Sequence, residues 1–134
     1  MKISGQITLA RALPLIAIPL LLAVSMTASA TSHVSVSVVD GHITLSPDPL
    51  SVGDGHNVAL TWEITTAGWT FTQNGVAIDA DDGEFSSAER SADGLSFNEI
   101  DKDDNAESYK YTITLTDGVH TISEDPTIQN GGHP

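Results

Sequence analysis

From His33 to Val39 the chain alternates without interruption: Val34, Val36 and Val38 fall on one face, Ser35 and Ser37 on the other. Strict period-two alternation marks a strand with one buried face. Asp40-Gly41 follows, and Ile43 and Leu45 resume the pattern beyond it, which predicts a hairpin. The run Ser46 to Leu50 (SPDPL) ends that strand, because proline has no N–H to give a ladder. Leu50 and Val52 continue as an edge segment.

Asn57 to Ile64 is the clearest strand, with Val58, Leu60, Trp62 and Ile64 inward and Asn57, Thr61 and Glu63 outward. Trp69 and Phe71 come after Gly68, and Val76 and Ile78 lie beyond a turn predicted at Asn74-Gly75. Phe85, then Leu95 and Phe97, mark two weaker strands. Tyr109, Tyr111, Ile113 and Leu115 give a second unbroken alternation, facing away from Lys110, Thr112, Thr114 and Thr116. Asp117-Gly118 turns the chain into Val119, Ile122 and, past Pro126, Ile128. Further Asp-Gly or Asn-Gly pairs stand at 54–55, 82–83, 93–94 and 130–131. Such pairs supply the positive φ that tight hairpin turns need. No helical period occurs after residue 30. The pattern predicts an all-β fold: a single antiparallel, immunoglobulin-like β-sandwich of about seven to nine strands over residues 31–134.

Residues 1–30 read differently. Lys2 and Arg11 precede an apolar stretch from Ala12 to Val24, broken by Pro14 and Pro19, and Ala28-Ser29-Ala30 has the form of a cleavage site. That is a signal peptide, and the stretch is short of the roughly 20 residues a span requires. The expectation is an exported protein, periplasmic or secreted, with no membrane span after cleavage. No cysteine follows to carry a lipid anchor.

Charge narrows the partners. All 18 acids lie after residue 30, against Arg90, Lys102 and Lys110, so residues 31–134 carry a formal charge of −15. Nucleic acid and anionic membrane are poor partners for such a surface. Cations and proteins remain, and the acid excess also keeps an exported chain soluble. Without cysteine the domain holds together without disulfides, and a thiolate copper site is excluded.

Asp101, Asp103, Asn105 and Glu107 place oxygen ligands at alternate positions, as a calcium-wrapping loop does. Ala106 and Thr112 occupy the positions where an EF-hand needs Gly and Glu, so any such site differs from an EF-hand and recruits oxygens from another loop. Asp79, Asp81, Asp82 and Glu84 form a second acidic cluster able to supply them. The same residues also suit a solvated Asx-rich turn. His42, His56 and His120 lie near predicted turns, and three could meet at one end of a sandwich, but no pair has metal-ligand spacing. There is no G-x-S-x-G elbow and no cysteine nucleophile, and no acid, base and nucleophile set can be named. The residues therefore predict no enzyme.

Asp104-Asn105 followed by Tyr109-x-Tyr111 resembles the E–F corner of immunoglobulin-like domains, with Tyr109 or Tyr111 as the corner tyrosine and Trp62 or Trp69 as the buried tryptophan. The cysteine pair of antibody domains is missing. Asp48-Pro49, Gly68-Trp69-x-Phe71, the Tyr109 to Leu115 alternation and the closing Glu124 to Gly132 together resemble the small bacterial DP-EP proteins, although Asp125 intervenes between Glu124 and Pro126. That resemblance implies a small β-sandwich and carries no catalytic residue over. The functional expectation is a non-catalytic binding or structural module with an unassigned protein or cation partner. The alternatives are a calcium-binding periplasmic protein, with calcium as its one cofactor, and a self-assembling surface or matrix subunit that pairs through its first strand.

Overall fold

A computed structural model describes residues 31–53, 55–79 and 82–131. The expected signal peptide, Asp54, Asp81 and His133 lie outside the described residues. Ten strands run in chain order: β1 (Thr31–Val39), β2 (His42–Ser46), β3 (Leu50–Val52), β4 (Val58–Ile64), β5 (Thr70–Ile78), β6 (Phe85–Arg90), β7 (Ser96–Asp101), β8 (Ser108–Thr116), β9 (Thr121–Glu124) and β10 (Thr127–Asn130). There is no helix among the described residues.

The strands form two five-stranded sheets. One has the order β2-β1-β4-β7-β6; the other has β3-β10-β8-β5, with β9 also on β8. The alternation seen in the sequence places the core. Val34, Val36, Leu60, Trp62 and Phe97 point from the first sheet, and Phe71, Tyr111, Ile113, Leu115 and Ile128 from the second, into one cluster. Three ring pairs cross between the sheets: Trp62 with Tyr111 at 5.4 Å, Phe71 with Phe97 at 5.9 Å, and Phe85 with Tyr109 at 5.0 Å. Tilted and edge-on contacts of this kind add to the burial of the rings themselves.

Three expectations need correction. Both sheets are mixed, not antiparallel, because β1 pairs parallel with β4 and β3 pairs parallel with β10. The cause is connectivity: after the β1–β2 hairpin the chain crosses through β3 in the other sheet, then returns to start β4 at the same end as β1. The described residues hold ten strands against the expected seven to nine or so, with β9 and β10 in one register on β8. Asn74-Gly75 is no hairpin turn. It lies within β5, where Phe71 pairs with Leu115 and Val76 already pairs with Ile113, so the intervening residues bulge out of the ladder.

Other turns form as the dipeptides predict. Asp40 and Gly41 take φ of 51° and 78°, and Asp82 and Gly83 take 46° and 84°. At the β8–β9 turn, Asp117 Oδ1 accepts the N–H groups of Val119 (2.8 Å) and His120 (2.6 Å). These bonds hold its carboxyl down at about 2. Beyond that turn β9 and β10 behave as one interrupted strand. Pairing with β8 stops after Ile113–Glu124 and resumes in the same register at Lys110–Thr127. Pro126 has no N–H to donate, but its carbonyl still accepts from Tyr111 N at 3.1 Å.

Candidate functional site

The two ends of the paired sheets differ in chemistry. One end gathers the β3–β4, β5–β6 and β7–β8 connections and the last residue of β10; these carry both acidic clusters. Asp101 arrives there through the strand period itself. Phe97, Glu99 and Asp101 share the inward face of β7, so the register that buries Phe97 also buries Asp101 completely. Its Oδ1 accepts the N–H of Asp103 at 2.8 Å, an Asx turn that takes Asp103 to a φ of 55°. Asp103 is itself fully buried, and its Oδ2 accepts Gly55 N at 3.1 Å.

Glu84 and Asn130 complete the cluster from two other segments. Glu84 Oε1 accepts Asp104 N at 2.7 Å and Asn130 Nδ2 at 3.2 Å. The same Nδ2 donates to Asp101 Oδ1 at 3.3 Å. The amide is oriented by this arrangement, since its reverse would set a carbonyl oxygen against two carboxylates. Two buried oxygens are then left with no hydrogen-bond partner, Asp101 Oδ2 and Asn130 Oδ1.

Burial pushes the Asp101 carboxyl up to about 6. The Asp103 N–H opposes this rise, whereas the charges of Glu84 and Asp103 add to it. The sign of the linkage follows. The folded chain holds this proton more tightly than the unfolded one, so the stabilisation is present at acidic pH and is lost as pH rises through about 6. The difference from the ordinary value of 3.8 corresponds to on the order of 3 kcal/mol. Thermal unfolding of the purified protein from pH 4.5 to 7.5 is expected to show that loss. Asp101→Asn, which cannot ionise, is expected to flatten it, and an unchanged slope in the variant would refute the assignment.

The four alternate-position oxygens named from the sequence are divided by the fold. Asp101 and Asp103 join the buried cluster, whereas Asn105 and Glu107 turn to Tyr109. Asn105 Nδ2 donates to Tyr109 Oη at 2.8 Å and its Oδ1 accepts Glu107 N at 3.0 Å. Tyr109 Oη donates to Glu107 Oε2 at 3.4 Å. Tyr109, one of the two tyrosines expected at the corner, thus closes onto side chains of its own loop. From the second cluster Glu84 is buried, while Asp79 and Asp82 are exposed. The sequence marks Asn130 only as half of an Asn-Gly pair, but it shares the inward face of β10 with Ile128.

The histidines do not converge. His42 and His120 lie at the end opposite the acidic loops, and His56 lies among those loops. His33 instead meets Glu63 across β1 and β4 at 3.0 Å, and His120 meets Asp117 at 3.1 Å. Among the described residues, no three His, Asp or Glu side chains already stand at metal-binding spacing. The opposite end carries three exposed large apolar side chains on or beside its turns: Val39, Leu95 and Val119, the last 85 % exposed. No protein-family model matches the chain, and no curated protein matches it.

Proposed function

We propose that the chain is an exported, non-catalytic module of immunoglobulin-like sandwich type, which binds a partner or builds a structure through its loops. Support for the architecture comes from neighbour order. The runs β1-β4-β7-β6 and β5-β8-β10 parallel the A-B-E-D and C-F-G sheets of that fold, with β2 and β3 added at the edges. The departure is the parallel pairing of β1 with β4. Trp62 and Tyr111 lie on the strands where antibody domains carry their inter-sheet cysteines, and Tyr111 follows the corner Tyr109 by two residues. Membership of the DP-EP proteins belongs to the same proposal and rests on the motifs at Asp48-Pro49, Gly68 to Phe71, β8 and the closing segment.

The observation that carries the functional reading is the exposed apolar trio at one end of the sheets. Val39, Leu95 and Val119 stand on or beside the β1–β2, β6–β7 and β8–β9 turns, where a rigid scaffold presents contact residues. A self-assembling subunit that donated β1 to a neighbour would first have to strip it from both β2 and β4. Incubation of the purified protein with chromogenic esters, phosphate esters, glycosides and peptides is expected to give no multiple turnover. Sustained turnover that disappears in Glu84→Gln would overturn the proposal in favour of a carboxylate-dependent hydrolase.

A further inference from the structure

We infer that the acidic end is a calcium site, in which the ion binds the two buried oxygens Asp101 Oδ2 and Asn130 Oδ1 and takes further oxygens from Glu84 and Asp103. Two independent observations meet here. One is the gathering of buried carboxylates from the β5–β6 and β7–β8 connections. The other is the pair of completely unpartnered oxygens within that gathering. A buried acceptor without a donor is costly, and a native fold leaves few of them. Both hydrogens of Asn130 Nδ2 are already spent, one on Glu84 and one on Asp101, so the amide has no donor left to offer. A cation satisfies both oxygens at once.

The chemistry selects the ion. Carboxylate and amide-carbonyl oxygens are hard donors, and calcium accepts six to eight of them in irregular geometry. Magnesium demands near-octahedral order and keeps several waters, which suits buried side chains of this kind poorly. Glu84 and Asp101 accept from the same Asn130 amide nitrogen, at 3.2 and 3.3 Å, so two carboxylates stand side by side and a divalent ion would relieve their repulsion as it binds. A bound ion would clamp three chain segments: the start of β6, the end of β7 and the end of β10. The site lies at the end away from the exposed apolar trio, so it stands or falls independently of the binding-module proposal.

The test is thermal unfolding of the chelator-treated protein at pH 7.5 in calcium chloride, magnesium chloride and choline chloride at matched ionic strength. With an affinity in the range of extracellular calcium modules, 10 mM calcium is expected to raise Tm by on the order of 10 °C beyond choline, and magnesium by less. Asp101→Asn is expected to abolish the calcium-specific rise and Glu84→Gln to reduce it. Calorimetric titration of the wild-type protein with calcium chloride supplies a readout that needs no variant to fold, with one site per chain expected. An equal rise in choline overturns the site, as does a calcium rise undiminished in both variants. No heat of binding, together with stability that responds to pH alone, assigns the two oxygens to a proton and overturns it equally.

Discussion

Replacing Trp62 with alanine is expected to cost about 4 kcal/mol. For a domain of this size that lowers Tm by roughly 20 °C or more. Trp62 is completely buried on β4 and its ring stacks, tilted, on Tyr111 of β8. Alanine removes that contact between the sheets and leaves a cavity that a close-packed core cannot collapse. The polar side of the pair is separable from its bulk. Trp62 Nε1 donates to Tyr111 Oη at 3.2 Å, and burial pushes the Tyr111 hydroxyl up to about 12, so it stays protonated through any ordinary pH. Tyr111→Phe strands the buried indole N–H at a cost of about 1–3 kcal/mol. Trp62→Phe together with Tyr111→Phe is expected to cost less than the sum of the two single changes, because no orphaned donor or acceptor remains. Additive costs in denaturant melts would show that the bond carries no coupling.

Gly75→Ala is the second large effect, and its sign is opposite to the usual one. Replacing glycine by alanine at a compatible position generally stabilises by about 0.4–1 kcal/mol through the unfolded chain. At Gly75 an added Cβ would stand 2.7 Å from Phe71 Cβ, 2.9 Å from Phe71 Cδ1 and 3.0 Å from the Thr72 carbonyl oxygen. None of these atoms is the free end of a flexible side chain, so the β5 bulge must open or Phe71 must leave its place in the core. A loss of about 1–3 kcal/mol is expected. Gly53→Ala is the internal control, since an added Cβ there meets nothing within 4 Å. Chemical denaturation of the two variants should move their midpoints in opposite directions. A Gly75→Ala protein as stable as the wild type would mean that the bulge is not held closed by Phe71.

Alternation in the sequence located β1, β2, β4 and β8 because each buries one face only, and period two survives any tertiary context that keeps that face dry. The Asx-Gly dipeptides succeeded where the turn needs positive φ, as at Asp40-Gly41. They misled at Asn74-Gly75, where the glycine answers to the proximity of Phe71, a contact no local pattern encodes. The parallel pairs were illegible for a related reason, since the identity of a strand's neighbour depends on where the chain has been in between. At the acidic end, spacing suggested one run of ligands from Asp101 to Glu107. The fold instead turns Asn105 and Glu107 toward Tyr109 and brings in Glu84 and Asn130 from segments remote in sequence. The inward face of β7 did hold a readable clue. Phe97, Glu99 and Asp101 share one period, and two acids following a core phenylalanine at that spacing announce a buried charge.

The parallel pairing of β3 with β10 joins Leu50–Val52 to Ile128–Asn130, 78 residues further along the chain. That edge of the second sheet cannot close until the last strand exists. Ordering so long a loop precedes any reward from the contacts it permits, which places the domain among slow, topology-limited folders. A chain emerging from its N-terminus first would hold β3 without its mate until residues 128–130 have been made. Closure of that edge then waits on residue 130, however readily the early hairpin forms.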